Sequence, residues 1–266
     1  MSRISDKFKK GKEEKRALLI PYLTAGFPSL ESCKKIFEVL AREGADLIEI
    51  GIPFSDPLAD GPTIQRSSEI ALKQGISTDD VFKLIRHLRD ITDIPLIAMT
   101  YYNLFFKYGL EKFVSASQAA GLDGVIIPDL PPEEAKDWLQ AAKGKLETVF
   151  LLAPTSSFER IRKIVNFSEG FVYCVSLTGV TGARKSLPST LHSFVARVKA
   201  ETSKPLAVGF GISTCEQAKN VAGIADGVII GSAFINAISE NKDIKEQISG
   251  VRNLLQQILP GMEKQR

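Results

Sequence analysis

Eight times along this chain a short apolar, often β-branched run ends in a loop rich in Gly, Pro, Asp or Ser, and an amphipathic stretch follows. The runs are Leu18–Leu23, Asp46–Ile50, Pro95–Tyr101, Gly124–Pro128, Thr148–Leu152, Phe171–Ser176, Leu206–Phe210 and Gly227–Ile230. Most are uninterrupted rather than alternating, which suits parallel strands covered on both faces. The stretches between them read as helices. Ser29–Arg42 opens on a capping serine after Pro28, and Asp79–Ile91 puts Val81, Leu84, Ile85 and Leu88 on one face. Pro132–Ala142 opens on Pro and two glutamates, a good helix start, and Ser213–Val221 and Ile244–Leu259 complete the set. Eight such units without a linker predict an α/β fold, a single (β/α)8 barrel domain over residues 1–266, with a short N-terminal helix and an extra short helix, Ala233–Ser239, after the eighth strand. A doubly wound open sheet is the alternative. It usually has fewer strands, and no Gly-x-Gly-x-x-Gly follows the first strand here.

Composition narrows the function. At 266 residues the chain suits one large domain, and a net charge of +3 argues for neither nucleic acid nor membrane binding. Three scattered cysteines, Cys33, Cys174 and Cys215, suit a reduced, cytoplasmic setting. No apolar run approaches the roughly 20 residues of a membrane span, and the N-terminus has no apolar signal core. The basic stretch Lys7 to Arg16 is interrupted by Glu13 and Glu14, unlike an acid-poor transit peptide. It fits a short helix with Ile4 and Phe8 on one side and a solvated basic side.

In a barrel, chemistry sits at the C-terminal ends of the strands. The unusual loops all fall there: Pro53–Pro62, Asn103–Tyr108, Pro128–Pro132, Ala153–Phe158, Leu177–Leu187, Gly209–Thr214 and Gly231–Phe234. Short polar turns such as Thr92-Asp93-Ile94 and Ser203-Lys204 belong to the opposite end. This clustering on one rim points to an enzyme.

Glu49 stands in the middle of the second apolar run. Strand alternation puts it with Leu47 and Gly51, and the isoleucines 48, 50 and 52 on the other side, so Glu49 points into the barrel near its top. A buried carboxylate paired with an interior Lys or Arg is the structural alternative, but no Lys or Arg lies inside any of the eight runs. An unpartnered, desolvated carboxylate has a raised pKa and suits general acid–base work. Asp56 and Asp60 follow on the loop. Asp56, between Ser55 and Pro57, reads as a turn former; Asp60 reads equally as a turn former or a site residue. Gly209-Phe210-Gly211 with Ser213, and Gly231-Ser232 before the short helix, form a candidate phosphate cradle of backbone N–H groups, tight turns being the alternative. The run Gly179 to Lys185 reads as a mobile lid or as a plain flexible loop. His87 and His192 fall in helical patterns, the cysteines lack ligand spacing, and no lysine ends a strand. A metal site and a Schiff-base aldolase are therefore disfavoured.

These residues resemble the alpha subunits of tryptophan synthase over nearly the whole chain. The likeness is carried by Pro21 to Gly26, Glu49 through Gln65, Met99 to Asn103, Asp129-Leu130-Pro131, Ala153-Pro154-Thr155, Tyr173 to Gly182, Gly209 to Ser213 and Gly231-Ser232, in the family's order. It implies a lyase that cleaves indole-3-glycerol phosphate by a retro-aldol reaction to indole and glyceraldehyde 3-phosphate, without a cofactor in this chain. It further implies Glu49 as the acid/base that protonates the indole carbon, and Asp60 as the partner of the indole N–H. Tyr173 and Thr181 support the site. Gly182, Gly211 and Ser232 donate to the phosphate, and Tyr22, Met99, Ile126, Leu152, Phe210 and Ile229 line the indole pocket. Position 22 is Tyr here and often Phe in the family.

The resemblance also implies a partner, a pyridoxal-phosphate beta subunit in an alpha2-beta2 complex that receives the indole. Leu104-Phe105-Phe106 is unusually apolar for a rim loop. With Pro53–Pro62 it suggests a docking surface, unless these side chains fold back onto the rim. On the docking reading, Phe105→Asp weakens beta binding and leaves the barrel folded. Two rivals stay open: another phosphate-binding barrel enzyme such as a sugar-phosphate isomerase or epimerase, and a catalytically silent subunit that only activates its partner.

Overall fold

The computed structural model describes residues 2–175, 190–209 and 211–264. Thr181, Gly182, Phe210 and the Leu177–Leu187 segment lie outside the described residues. The strands are β1 (Leu18–Thr24), β2 (Ile48–Gly51), β3 (Leu96–Met99), β4 (Gly124–Ile126), β5 (Glu147–Val149), β6 (Leu151–Leu152), β7 (Val172–Val175), β8 (Leu206–Gly209) and β9 (Gly227–Ile230). All the pairings are parallel, in the order β5-β4-β3-β2-β1-β9-β8-β7-β6.

The two end strands of that order, β5 and β6, are separated in the chain by Phe150 alone, so the backbone itself closes the ring. The predicted strand Thr148–Leu152 is thus one stave in two pieces. Its ladder breaks because the Phe150 N–H donates to Ser168 Oγ (3.3 Å) while its carbonyl accepts from the Tyr173 N–H (3.2 Å). Nine segments therefore make the eight staves of a (β/α)8 barrel.

The helices are α1 (Arg3–Glu13), α2 (Leu30–Glu43), α3 (Pro62–Lys73), α4 (Thr78–Arg89), α5 (Tyr102–Tyr108), α6 (Leu110–Ala120), α7 (Lys136–Ala142), α8 (Phe158–Phe167), α9 (Thr190–Lys199), α10 (Cys215–Ala222), α11 (Ser232–Ser239) and α12 (Ile244–Ile258). No helix among the described residues is long and apolar enough to cross a membrane. The predicted extra helix after the last strand is α11, and the predicted N-terminal helix is α1. Ser2 caps α1 by accepting from the Ser5 N–H, and Ile4 and Phe8 turn inward, with the Phe8 ring 5.4 Å from Phe171 at the entrance to β7. They close the N-terminal end of the barrel. Asp46, just before β2, ties this end together: Arg16 reaches both its oxygens at 2.6 Å, Lys7 lies at 2.9 Å, and the Leu19 N–H donates to it at 2.9 Å. Burial pushes the Asp46 carboxyl up, but Arg16, the Leu19 N–H and Lys7 together hold it below its ordinary value.

Register decides which side chains face inward, because parallel partners share a face. Tyr22 pairs with Glu49, Glu49 with Ile97, Gly51 with Met99, and Met99 with Ile126. On the other side Ile20 pairs with Ile229, and Leu18 joins Gly227, Ala207 and Tyr173 in one row. Tyr22, Glu49, Met99, Ile126, Tyr173 and Ile229 therefore share the interior. Leu151 pairs with Tyr173 and Leu152 with Cys174, so Leu151, and not the predicted Leu152, takes the interior face. Leu152 is buried on the outer side of the stave. A one-residue shift exchanges the faces of a strand; Val149 pairs with the inward Ile126, so alternation through Phe150 turns Leu151 inward as well.

Three further expectations are corrected. The helix expected over Pro132–Ala142 starts at Lys136, because residues 131–135 form separate turns, with Glu134 N–H on Pro131 O and Ala135 N–H on Pro132 O. Ser213 does not open the next helix: Thr214 caps α10 in a reciprocal capping box with Gln217. The expected rim loop Asn103–Tyr108 is helix α5, and its apolar run splits by helical period. Phe105 is fully buried, its ring 4.4 Å from Phe113 and 4.8 Å from Trp138. Leu104 is half-buried and Phe106 is 69% exposed. Phe105 is thus core, not docking surface. Placing a carboxylate there removes a buried aromatic and adds an unpaired charge, costing at least about 4 kcal/mol. We expect Phe105→Asp to lower the urea unfolding midpoint sharply or to prevent folding; an unchanged midpoint would contradict this packing.

Candidate active site

Glu49 stands near the C-terminal end of β2, whose outward Ile48 and Ile50 pack beneath the helices. Its carboxylate is 1% exposed, and its Oε2 has no hydrogen-bond partner among the described residues. Desolvation, joined by the nearby charge of Asp60, raises its pKa from 4.5 to about 8. Asp60 is also buried, on the loop between β2 and α3. Desolvation raises its pKa to about 6, opposed by a hydrogen bond from the Tyr101 hydroxyl. Between those values Glu49 is a neutral acid and Asp60 an anion: two carboxyls in one mouth, separated in charge by their surroundings.

Tyr101 is the residue that sequence reasoning missed. It stands just past β3, two residues beyond the interior Met99. Its hydroxyl donates to Asp60 Oδ2 (3.1 Å) and accepts from the Ala59 N–H (2.9 Å), and its ring stacks on Phe54 at 5.0 Å. One side chain thus grips the carboxylate, the backbone before it and the start of the loop. An aromatic residue on the rim, in phase with the interior face, was the signal available. Gln65 grips the same loop from α3, donating to the carbonyls of Asp60 (3.0 Å) and Pro57 (3.3 Å). Asp56 is exposed and hydrogen-bonds to Ser55, in keeping with a turn former.

Two tyrosines wall the mouth. Tyr22 and Tyr173 are buried, and desolvation first, then the nearby carboxylates, push both phenols well above their ordinary value. Each depends on a glycine. A Cβ at Gly51 would lie 2.1 Å from the Tyr22 hydroxyl oxygen, and one at Gly209 2.3 Å from that of Tyr173. Met99, Ile126 and Ile229 add apolar surface from β3, β4 and β9. Next to Tyr22, α11 starts at Ser232 behind Gly231, which gives no side-chain cap, so among the described residues the first N–H groups of the helix are left for another acceptor. Gly211 lies in the preceding loop with φ +77°. Ser213 differs from these: its N–H is engaged by Gln217 Oε1 at 2.8 Å, and its hydroxyl lies 3.3 Å from the same oxygen. His87 lies in α4 against Glu38 at 2.7 Å, far from a ligand role. Among the described residues no group of three or more His, Cys, Asp or Glu is arranged to hold a metal ion.

A carboxyl pair and tyrosines inside the C-terminal mouth of a (β/α)8 barrel, beside an uncapped helix start, suit a barrel enzyme working by acid–base chemistry. Residues 8–263 match the family model of the tryptophan synthase alpha chain. The chain is 48% identical to the tryptophan synthase alpha chain of Methanosarcina barkeri, covering 94% of each, and 47% identical to that of Geotalea uraniireducens, covering 94% of this chain and 95% of the relative. The crystal structure of tryptophan synthase subunit alpha from Legionella pneumophila is 38% identical, with a TM-score of 0.89 over 98% of both chains. The chain belongs to the tryptophan synthase alpha family. The Tyr101 contact is testable on its own: Tyr101→Phe keeps the stack on Phe54 but removes the hydrogen bond that favours the Asp60 anion. The Asp60 pKa, followed by carboxyl NMR, is expected to rise above about 6, and an unmoved or lowered value would contradict this contact.

Proposed function

We propose that Glu49 and Asp60 carry out the family's reaction in this chain, with Tyr22, Met99, Ile126, Leu151, Tyr173 and Ile229 forming the slot for the indole ring and the start of α11 receiving the phosphate. As a member of the family the chain is a carbon–carbon lyase that cleaves indole-3-glycerol phosphate to indole and glyceraldehyde 3-phosphate. The observation that carries the assignment of roles is the buried Glu49 oxygen without a partner among the described residues, in the same apolar mouth as an Asp60 of lower pKa.

The steps follow from those protonation states. Neutral Glu49 gives its proton to the indole carbon that bears the glycerol chain, which leaves a cation delocalised to the ring nitrogen. The Asp60 carboxylate, held by Tyr101, accepts a hydrogen bond from the ring N–H and stabilises that charge in a site of low dielectric. The carbon–carbon bond then breaks, its electrons return to the ring, and the carbinol hydroxyl becomes the aldehyde. The hydroxyl proton restores Glu49, so atoms and charge balance with no external reagent. The N–H groups at Gly211, Gly231 and Ser232 and the positive end of the α11 dipole suit the phosphate. These steps need no cofactor in this chain; pyridoxal phosphate belongs to the beta subunit. A sugar-phosphate isomerase would use the phosphate end equally well but has no need of the apolar slot, and a silent subunit has no need of an unpaired buried acid.

The family is one subunit of a complex with a beta chain, and the alpha2-beta2 form is the assembly we propose. Its docking surface combines Phe106 with Leu58, the latter 83% exposed at the tip of the loop that ends in Asp60. Apolar side chains so exposed favour burial in an interface.

Three measurements test these proposals. The kcat/KM profile is expected to be bell-shaped: activity falls below about pH 6 as Asp60 becomes protonated, and above about pH 8 as Glu49 ionises. Glu49→Gln is expected to lose at least about 100-fold in turnover; near-normal activity would exclude Glu49 as the acid. Phe106→Asp and Leu58→Asp are each expected to weaken beta association at least about tenfold while leaving the thermal midpoint unchanged. Wild-type affinity in both would remove this surface from the interface.

A further inference from the structure

A line of three buried hydroxyls runs from the pocket wall to helix α3, and its proton direction is determined by its end. Ser67 Oγ lies 2.7 Å from the carbonyl oxygen of Ile64, which can only accept, so Ser67 donates there. With its proton committed, Ser67 accepts from Thr24, whose Oγ1 is 2.6 Å away. Thr24 in turn accepts from the Tyr22 hydroxyl at 3.4 Å. Tyr22, Thr24, Ile64 and Ser67 are all buried, so water does not replace these bonds. A serine bonding back to the carbonyl three residues earlier is ordinary within a helix; the bond from Thr24 is not local, because it joins β1 to α3 across 43 residues.

What the line holds is the first turn of α3. Gly61 provides no side-chain cap for this helix, and Gln65, next to Ile64, is the residue that grips the carbonyls of Pro57 and Asp60. The loop presenting Asp60 hangs from this turn, and the turn is tied to β1 through Ser67 and Thr24. We propose that Thr24 and Ser67 are positioning residues for the lyase reaction, keeping the backbone that presents Asp60 in register with the Tyr22 wall of the indole slot. The proposal rests on the role given to Asp60 above. Neither residue touches the reacting atoms; each acts through the helix.

Misplacing a catalytic group by a fraction of an ångström slows chemistry more than it weakens binding. Ser67→Ala and Thr24→Val, the latter equal in shape, are therefore expected to lower kcat about tenfold, with KM within about twofold of wild type. Thr24→Ser, which keeps the hydroxyl, is expected to restore kcat to within about threefold. Circular dichroism and the thermal midpoint establish that each variant folds. If Thr24→Val does not fold, Ser67→Ala decides alone, since it removes one small hydroxyl and adds no bulk. Wild-type kcat in Ser67→Ala overturns the proposal. So does a rise in KM at constant kcat, or a Thr24→Ser no better than a folded Thr24→Val. Asp60→Asn is assayed alongside: if it stays active, the role of Asp60 has failed, whereas an inactive Asp60→Asn beside a fully active Ser67→Ala fails the positioning chain alone.

Discussion

The parallel pairing of β1 with β2 on one side and β9 on the other is the constraint on which the site depends. Through that register Tyr22 stands beside Glu49 and Glu49 beside Ile97, and the same inward faces carry Met99 and Ile126 on one side and Ile229 on the other. Because the ring is closed, each of these side chains is forced inward. Glu49 is therefore desolvated by its neighbours rather than by any bound molecule, and its raised pKa follows from burial first and from Asp60 second. An open sheet would leave the same residue near an edge and near water.

Asp60 illustrates a different means of control. Its loop has no regular structure of its own, yet it is held at several points: Tyr101 from just past β3, Gln65 from α3, and α3 itself through Ser67 and Thr24. Each contact is a modest hydrogen bond, worth on the order of 1 kcal/mol in stability. Together they fix the place of a buried carboxylate on an otherwise irregular loop. The same loop exposes Leu58 two residues before Asp60, so a partner seated there bears on the carboxylate through a very short stretch of chain. The opposite end of the barrel is built for permanence, with Ile4 and Phe8 closing it and Asp46 gathering Arg16, Lys7 and the Leu19 N–H.

The fold and the central carboxylate were legible in the sequence because they rest on patterns only a few residues long. Uninterrupted apolar runs separated by amphipathic stretches imply parallel strands under helices, and alternation alone turns Glu49 away from Ile48 and Ile50. What was not legible depends on breaks in those patterns. Leu152 was placed in the pocket through the family likeness, whereas the pairing of Leu151 with Tyr173 turns Leu151 inward. Phe105 was left between docking surface and rim packing because Asn103–Tyr108 was read as a loop, whereas helical period buries it against Phe113 and Trp138. Ser213 looked like a helix opening until Thr214 and Gln217 took that role.

By itself the sequence determined the barrel, the inward acid on the second stave, the glycine and serine positions at the last two, and the family. Local periodicity and short motifs carry all of these. Tertiary structure alone decided that Glu49 has an oxygen unpaired among the described residues, that Asp60 is gripped by Tyr101, and that Gly51 and Gly209 make room for two tyrosine hydroxyls. It also joined Thr24 to Ser67. Each of these joins residues far apart in the chain, and no local rule encodes a distance that only the closing of the ring brings about.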